Sequence, residues 1–325
     1  MEDLLLKKGE RVTVLTTKPI NGGFLDYMVP NDNMHVRDFV EVPLGSSSCI
    51  GVIWLKSSKN FDKKKLKNIT RSLELTPMSV EMRNFLIQLA SYTINPLNKV
   101  LKLALGAQDF LKPLKRVKYY YIGKLFLEKP TVKRNKVIEF LKSDPDRKFS
   151  MLDLTTKLGA SSSLINNLIS SDNIRVDSKI EFLSYDISEP RFSETLSQSQ
   201  KVVSNQLRNQ MRAKQYSTTL LRGVTGSGKT EVYLDAISEA FLLGKQVLVL
   251  VPEIALSIDF VRRVTERFDV VPGEWHSGIL LSERRRLYHA VAKNQLNLVI
   301  GARSALFLPF KNLGLIVVDE EHDGS

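Results

Sequence analysis

The spacing of apolar residues changes its period within residues 1–105. Apolar and polar positions alternate over 11–17 and 39–45, and residues 49–55 form a short apolar run. These patterns predict short β-strands separated by turns. Residues 79–94 instead place their apolar side chains at helical spacing. We therefore predict a small β-rich domain that is closed by a helix.

Residues 106–195 carry three helical patterns, at 133–143, 150–159 and 161–174. The second pattern ends on Gly159, a residue that suits a helix C-terminus, and the third is followed by a strand pattern. This order is typical of a winged helix-turn-helix domain. The last helix has no Lys or Arg, so we do not expect it to read bases. A three-helix spacer or protein-docking domain remains an alternative.

Residues 196–325 alternate strand and helix patterns, which predicts a doubly wound parallel sheet. The predicted strands are 218–224, 246–253, 296–301 and 313–320, and the predicted helices are 229–244, 255–268 and 280–294. The whole chain is thus expected to be multidomain: a β-rich domain, a winged-helix domain and an α/β domain. Two linkers are predicted between them, at 106–113 and 188–199.

Composition limits the possible location, cysteine chemistry and partners of the protein. The chain has no apolar run of membrane length and no signal-peptide pattern, so we expect a cytoplasmic protein without a membrane partner. Its one cysteine, Cys49, excludes an internal disulfide and a cysteine-based zinc site. The net charge of +12 is spread over all three regions and favours a polyanionic partner.

A basic run from Lys112 to Lys136 surrounds three consecutive tyrosines, Tyr119, Tyr120 and Tyr121. Lysines and arginines beside aromatic rings can bind phosphates while the rings stack on bases. The same pattern also arises when a solvated basic face lies beside a strand of aromatic core residues. Both interpretations stay open on the sequence alone.

The clearest chemical motif lies at 223–230, where "GVTGSGKT" fits the phosphate-binding P-loop pattern. Glycines let the backbone turn its N–H groups inward, and the following helix N-terminus adds to this anion-binding nest. Lys229 would reach the β- and γ-phosphates, and Thr230 would bind Mg²⁺. The expected nucleotide-binding residues are Gly223, Val224, Thr225, Gly226, Ser227, Gly228, Lys229 and Thr230.

A second motif follows the apolar strand pattern at 315–318. A P-loop site needs an acidic residue at the tip of another strand to hold Mg²⁺. Asp319 is expected to bind the metal, and Glu320 is expected to polarise the attacking water as a general base. His322 would couple the nucleotide to a ligand bound elsewhere. Together the two motifs predict hydrolysis of a nucleoside triphosphate.

The stretches "LLRGVTGSGKTEVYL", "VLVLVPEIALS" and "VIGARSALFLPFKNLGLIVVDEEHD" resemble the replication-restart DNA helicases of superfamily 2, the primosomal protein N′ family. This resemblance implies a RecA-like lobe that belongs to an ATP-dependent 3′-5′ DNA helicase using ATP and Mg²⁺. It also implies that Gln200 reads the adenine and that Arg303 and Ser304 contact single-stranded DNA. Forked DNA, primosome proteins and single-strand-binding protein are the implied partners.

Residues 1–105 resemble, through "FLDYMVP", "FVEVPLG" and "IGVIW", the domain of this family that captures a DNA 3′ end. On that resemblance Asp26 lies in the pocket for the terminal nucleotide, Leu44 and Gly45 line it, and Lys67 supplies positive charge. The alternative for Asp26 is a turn residue, and the alternative for Lys67 is a surface charge.

The family continues beyond the D-E-E-H box with a second motor lobe and zinc-binding cysteines, neither of which this chain contains. We therefore expect the chain to carry the N-terminal part of such a helicase, to bind no zinc and not to unwind DNA by itself. The alternative is a module that binds DNA ends or forks and carries a non-functional ATPase lobe.

Overall fold

The computed structural model describes residues 4–57, 66–106, 111, 114, 116–123, 131–144, 149–180, 190–224, 226–252 and 258–319. The chain divides into two compact units: Met1–Pro113 together with Phe182–Ser325, and Leu114–Glu181. The first unit therefore joins the β-rich N-terminal region to the α/β region.

The N-terminal part of the first unit is a curled antiparallel sheet that is followed by two helices. Its elements are β1 Leu5–Leu6, β2 Arg11–Thr16, β3 Phe24–Met28, β4 Met34–His35, β5 Phe39–Leu44, β6 Ser47–Lys56, β7 Arg71–Ser72, α1 Val80–Tyr92 and α2 Leu97–Leu105. Five strands pair in the order β3-β2-β6-β5-β7, and β1 pairs separately with β4. A bridge between Met28 and Asn68 brings the two edges of the larger sheet together. The side chains on its inner face, such as Val12, Val40 and Ile53, form one buried core.

The helical pattern at 79–94 is confirmed as α1, which begins where the Ser79 hydroxyl accepts a hydrogen bond from the Met82 amide. Ile94 does not belong to its buried face. It lies beyond the helix with φ of 52° and is 92% exposed. The following helix α2, with fully buried Leu101, was not predicted because Pro96 interrupts the helical pattern before it.

The described residues of the second unit form three helices and a three-stranded antiparallel sheet. Its elements are β8 Arg116–Ile122, α3 Val132–Lys142, β9 Phe149–Ser150, α4 Met151–Leu158, α5 Ser162–Ser170 and β10 Ile174–Ile180. The strand order is β10-β8-β9. Gly159 ends α4 in the left-handed conformation, with φ of 60°, as its position in the sequence predicts. Tyr120 is buried in the core of this unit, whereas Tyr119 and Tyr121 are half-buried on the other face of β8.

The α/β part of the first unit is built on a parallel sheet. Its elements are α6 Gln198–Arg212, α7 Lys229–Leu242, β11 Gln246–Leu250, α8 Ile258–Phe268, β12 Gly273–Trp275, α9 Leu281–Ala292, β13 Leu298–Gly301 and β14 Leu313–Val318. The strand order is β12-β13-β11-β14, and every pairing is parallel. All residues of β11 are buried, as the continuous apolar run predicts. Strand β14 lies at the edge of the described sheet, and its Ile316 and Val318 are exposed.

The predicted strand at 218–224 is wrong, because residues 217–224 have no regular secondary structure. Leu220 and Val224 are largely exposed there. A strand needs a neighbour that pairs with its N–H and C=O groups, and none of the described strands lies alongside this segment. Apolar composition alone therefore misled the prediction.

The described residues of the segment 188–199, which the sequence predicts to be a linker, are anchored on α7 and α8. The Arg191 carbonyl accepts hydrogen bonds from the Ser238 hydroxyl and the Arg267 guanidinium. The Ser193 amide donates to Asp235, and Leu196 is buried. The other predicted linker, 106–113, lies mostly outside the described residues.

One apolar core joins the two parts of the first unit. Leu101 and Leu105 of α2 belong to the same buried cluster as Leu248 of β11. The Phe85 ring of α1 lies 5.9 Å from the Phe307 ring, which belongs to a 3₁₀ turn over Arg303–Phe307. The N-terminal region and the α/β region are therefore held together by buried contacts.

Among the described helices, none is long and apolar enough to cross a membrane.

Candidate functional site

The described residues of the glycine-rich loop before α7 have two backbone features that the sequence-predicted anion nest requires. Gly226 and Gly228 adopt left-handed backbone conformations, with φ of 75° and 80°. The Ser227 amide donates to the Val224 carbonyl and closes the turn. Gly228 is the N-cap of α7 and has no side chain to satisfy the first amides of the helix. These amides are thus available to an anion. Thr225 lies outside the described residues.

Lys229 folds back over this loop. Its ammonium nitrogen donates to the carbonyl oxygens of Gly223, at 2.8 Å, and Val224, at 3.3 Å. The ammonium is therefore held against the described part of the loop.

Gln200 ties the start of α6 to the same loop. Its side-chain amide donates to the Ser227 carbonyl at 2.8 Å, and its side-chain oxygen accepts from the Ser197 amide at 2.7 Å. Ser197 and Gln200 form a capping box at the start of the helix. A Cβ atom built on Gly228 would collide with the side-chain amide of Gln200. This residue thus lies against the loop that would hold the phosphates.

Asp319 follows the last residue of β14. Its amide donates to the Leu250 carbonyl at 2.9 Å, and its Oδ2 accepts from the Tyr233 hydroxyl at 2.9 Å. Tyr233 lies one turn after Thr230 on α7. Burial and the nearby Asp319 charge raise the pKa of Tyr233 far above its ordinary value, so the phenol stays protonated and donates. Glu320 and His322 lie outside the described residues.

The donor set of this site fits Mg²⁺ and a polyphosphate. Thr230 supplies a hydroxyl and Asp319 a carboxylate, which are the hard oxygen ligands that Mg²⁺ prefers. The described residues contain no cluster of three or more His, Cys, Asp and Glu side chains that could hold a metal alone. A site with few protein ligands is typical of Mg²⁺ that is also bound by phosphates and water.

Two buried carboxylates on α7 organise the surroundings of the loop. Glu239 accepts hydrogen bonds from Arg208 and Arg212 of α6, at 2.9 Å and 2.7 Å. Asp235 accepts from the Ser204 hydroxyl at 3.0 Å and from Arg267 at 2.7 Å. These contacts fasten α6 and α8 to the helix that begins at the P-loop.

Sequence reasoning missed this network and also missed Tyr233. A signal for the network was present, because acidic residues at positions 235 and 239 interrupt an apolar helix and basic residues recur at 208 and 212. Both pairs have the spacing of side chains on one helix face. Tyr233 carried no comparable signal, since a tyrosine in an apolar helix is ordinary core composition.

In the N-terminal region, Asp26 lies within β3 and not in a turn. Its carboxylate accepts hydrogen bonds from the Arg11 guanidinium and from the Thr13 hydroxyl, the latter at 2.6 Å. Its side chain remains 27% exposed. The carboxylate is therefore held in a defined orientation on the outside of the curled sheet and stays accessible to solvent.

The other residues expected at the 3′-end pocket lie along the neighbouring edge of the same sheet. The Lys67 ammonium donates to the Gly45 carbonyl at 3.3 Å, and the Lys67 carbonyl accepts from the Met28 amide at 3.0 Å. Leu44 packs against the core inside the sheet, as Leu25 does. Lys67, Leu44 and Gly45 are thus close together, while Asp26 is two residues before Met28 on β3.

Arg303 and Ser304 are exposed at the start of the 3₁₀ turn that follows β13. Ala305 in the same turn is buried in the core shared with α1 and α2. Because parallel strands end at the same edge of a sheet, this turn and Asp319 lie along one edge. The family resemblance also implies a DNA contact at 251–257 ("VPEIALS"), and residues 253–257 of this segment lie outside the described residues.

Two known families match this chain. The 3′DNA-binding domain (3′BD) family matches residues 11–106, and the DEAD/DEAH box helicase family matches residues 198–325. The first match covers the curled sheet with α1 and α2. The second covers α6, the P-loop and the parallel sheet.

Curated relatives match across most of the chain, and each is named replication restart protein PriA. The protein from Rickettsia conorii is 32% identical over 303 residues, which are 93% of this chain and 36% of that relative. The Bacillus subtilis protein is 35% identical over 204 residues, 61% of this chain and 25% of the relative. The Chlamydia muridarum protein is 40% identical over 181 residues, 56% and 24% respectively. The chain thus spans at most about a third of the length of these relatives.

Proposed function

We propose that this chain, which belongs to the replication restart protein PriA family and corresponds to its N-terminal portion, binds ATP and DNA for an ATP-dependent helicase that unwinds in the 3′-5′ direction. The observation that carries the nucleotide half is the P-loop before α7 together with the carboxylate of Asp319. Replication restart at forked DNA is the proposed role of the whole protein. Primosome proteins and single-strand-binding protein are its proposed partners in the cytoplasm.

The nucleotide would be held by residues from three elements. The amides around Gly226 and Gly228 orient the phosphates, and Lys229 exchanges its loop carbonyls for phosphate oxygens. Gln200, already at the loop, reads the adenine. Thr230 and Asp319 would hold Mg²⁺, which supplies positive charge against the phosphate oxygens when bound.

The remaining chemistry is assigned to residues beyond Asp319. We propose that the Glu320 carboxylate accepts a proton from the attacking water as general base. His322 transmits the state of the nucleotide to bound DNA. Both proposals rest on the sequence positions of these residues, shortly after Asp319.

A nucleotide titration tests the proposed ATP site. A fluorescent ATP analogue with Mg²⁺ is added to the wild-type chain, to Lys229→Ala and to Lys133→Ala, whose lysine is exposed at the start of α3 in the other unit. We expect Lys229→Ala to weaken binding about tenfold or more, since a hydrogen bond to a charged group is worth more than one factor of ten. Lys133→Ala should bind as the wild type does. Equal affinity of all three proteins would refute the nucleotide site.

The DNA half places a DNA 3′ end on the curled sheet. Asp26, held by Arg11 and Thr13, is suited to accept a hydrogen bond from the terminal nucleotide. Leu44 and Gly45 would line the pocket, and Lys67 would place its charge near a phosphate. What supports this proposal is the match of residues 11–106 to a 3′ DNA-binding domain.

Fork binding tests the DNA half. Fluorescence anisotropy compares forks with a free 3′-hydroxyl and forks with a blocked 3′ end, at one salt concentration because phosphate contacts depend on salt. We expect the wild-type chain to prefer the free end and Asp26→Ala to lose that preference. Asp32→Ala, which removes another exposed and hydrogen-bonded carboxylate of the region, is the control. Equal binding of both forks by the wild-type chain would contradict the 3′-end pocket and would indicate only general electrostatic affinity for DNA.

Two further DNA contacts are proposed. Arg303 and Ser304 would bind the phosphates of single-stranded DNA at the edge of the parallel sheet.

The second unit is proposed to be a winged-helix domain, because α4 and α5 join through Gly159 and pack with a three-stranded sheet. Its contacts with DNA would come from surfaces other than α5, which has no basic residue.

A second candidate function is binding of DNA ends or forks without ATP turnover by this chain. The observation that favours it is the segment 217–224 before the P-loop, which has no strand partner in the described structure. Steady-state ATP hydrolysis in the presence of forked DNA separates the two candidates. Turnover that Lys229→Ala abolishes supports the ATPase. Binding of forks without turnover supports the second candidate.

A further inference from the structure

The Tyr233 hydroxyl joins the two elements that would bind Mg²⁺. It donates to Oδ2 of Asp319 at 2.9 Å, across 86 positions of sequence. Thr230, the other expected ligand, lies three residues before Tyr233 on α7, and residues at this spacing share one helix face. A tyrosine hydroxyl therefore connects the helix that starts at the P-loop to the end of β14.

The position of this hydroxyl is fixed by packing of the ring. Tyr233 is 6% exposed and belongs to the core between α7 and the sheet, with Val249 and Phe268. Its ring centroid lies 6.5 Å from that of Phe260 on α8. A side chain with two rotatable torsions that is packed on both faces loses little further freedom when its hydroxyl binds a partner. The hydroxyl is thus a preorganised donor.

Asp319 follows an edge strand of the described sheet. Strand β14 pairs with β11 alone among the described strands, and its Val318 is exposed. The Asp319 amide is bonded to the Leu250 carbonyl, which places the backbone at this position. The bond from Tyr233 orients the carboxylate itself. A carboxylate has two oxygens with about four acceptor sites, so this bond leaves it able to ligate a cation.

We propose that Tyr233 is a positioning residue for the Mg²⁺–nucleotide site: its buried hydroxyl orients the Asp319 carboxylate relative to Thr230. The inference rests on the proposed nucleotide site and extends it to a residue outside both motifs. Outer-shell hydrogen bonds of this kind orient metal ligands, and their loss lowers metal affinity. Because Tyr233 is 6% exposed and its hydroxyl is bonded to Asp319, we assign its effect to Asp319 and not to a contact with the nucleotide.

The test separates metal binding from nucleotide binding. Affinity for a fluorescent ATP analogue is measured with Mg²⁺ and with a chelator, for wild type, Tyr233→Phe and Tyr288→Phe. Tyr288 is a buried tyrosine of α9 and serves as the matched control for removal of a hydroxyl from the core. We expect Tyr233→Phe to reduce the enhancement of affinity by Mg²⁺ about tenfold, the scale of a lost outer-shell contact to a metal ligand. Tyr233→Phe should change the affinity measured in chelator only slightly. Tyr288→Phe should change the affinity only slightly in either condition.

The Asp319→Asn background completes the test. If Tyr233 acts through Asp319, Tyr233→Phe should have little additional effect on the Mg²⁺ dependence once Asp319 is replaced. An unchanged Mg²⁺ dependence in Tyr233→Phe would overturn the inference while leaving the nucleotide site intact. Equal losses with Mg²⁺ and chelator, accompanied by a lower melting temperature, would assign Tyr233 a structural role and also overturn it. Absence of any nucleotide binding by the wild type would reject the proposed site itself.

Discussion

At the scale of single residues, two glycines of the P-loop face different surroundings. Both have positive φ, which costs an L-residue roughly 1–2 kcal/mol. A Cβ on Gly226 would meet nothing within 4 Å, whereas a Cβ on Gly228 would collide with the Gln200 side chain. The two positions therefore separate backbone strain from steric displacement of Gln200.

We predict that Gly228→Ala reduces the affinity for the fluorescent ATP analogue more than Gly226→Ala does. Both variants carry the same backbone strain, but only Gly228→Ala pushes Gln200 away from the Ser227 carbonyl. Titrations with ATP and GTP analogues measure the effect, and preference for adenine should fall in Gly228→Ala. Gly159→Ala, a strained position with open space in the other unit, controls for global destabilisation. Identical affinities in the two loop variants would contradict the displacement of Gln200.

Residues of short motifs were easier to predict than residues whose partners are distant in the sequence. Lys229 and Asp319 are predicted site residues because each belongs to a short motif whose chemistry depends on adjacent residues. Tyr233, Asp235 and Glu239 were not identified, because their partners lie 27 to 86 positions away. The spacing of residues 235 and 239 and of residues 208 and 212 indicates shared helix faces, but it does not record which distant residues pair.

At the scale of elements, α6 is held on α7 by ion pairs around Glu239. Burial would raise the pKa of Glu239, but hydrogen bonds from Arg212 and Arg208 outweigh it, so the pKa lies below its ordinary value. Glu239 itself is 2% exposed. Since α6 carries Gln200 at its start, this clamp also keeps the expected adenine contact at the P-loop.

We predict that Glu239→Gln lowers the free energy of unfolding by about 1–3 kcal/mol. This is the range for leaving a buried hydrogen-bonding group without its partner. Chemical denaturation at neutral pH measures this loss. Glu283→Gln, at the start of α9, removes an exposed carboxylate and should change little.

The same contact sets a pH dependence. A carboxyl group whose pKa is lowered by folding stabilises the protein above its unfolded pKa of about 4.5, and this contribution is lost as the pH falls through the lowered value. The difference in unfolding free energy between wild type and Glu239→Gln should therefore shrink on acidification below about pH 4.5. A difference that stays constant with pH would contradict the ionised clamp.

Element prediction succeeded where one buried face or one buried run determined the period. The strand β11 and the helices α1, α4, α7 and α9 were all expected from such patterns. The pattern at 218–224 failed because a strand exists only beside a partner, and partners are chosen by tertiary structure. Helix α2 was missed because its pattern is short and lies directly behind a proline.

At the scale of the whole molecule, the N-terminal region and the parallel sheet share one core. Leu101 of α2 is fully buried in a cluster that includes residues of β11, α9 and the turn at 303–307. The proposed 3′-end domain therefore packs against the turn that carries the proposed DNA contacts Arg303 and Ser304. Buried apolar contacts of this kind make neighbouring segments unfold together.

We predict that Leu101→Ala destabilises the N-terminal region and the parallel sheet together, by about 2–5 kcal/mol, because it leaves a cavity in their shared core. Hydrogen exchange measures the effect, and amides of both α1 and β13 should exchange faster. Leu168→Ala is the matched control, since Leu168 is equally buried in the core of the second unit. It should accelerate exchange in that unit alone. Faster exchange confined to α1 and α2 would contradict a shared core.

The sequence by itself determined most of the helices, and it predicts the chemistry of the P-loop and of the acidic residues after β14. These features depend on adjacent residues and on periodicity, which a linear chain records directly. Tertiary structure alone decided that segment 217–224 is not a strand, that Tyr233 meets Asp319 and that α2 packs beside the turn at 303–307. Each of these outcomes depends on which distant segments pair, and that choice reflects the burial and hydrogen bonding of the entire unit.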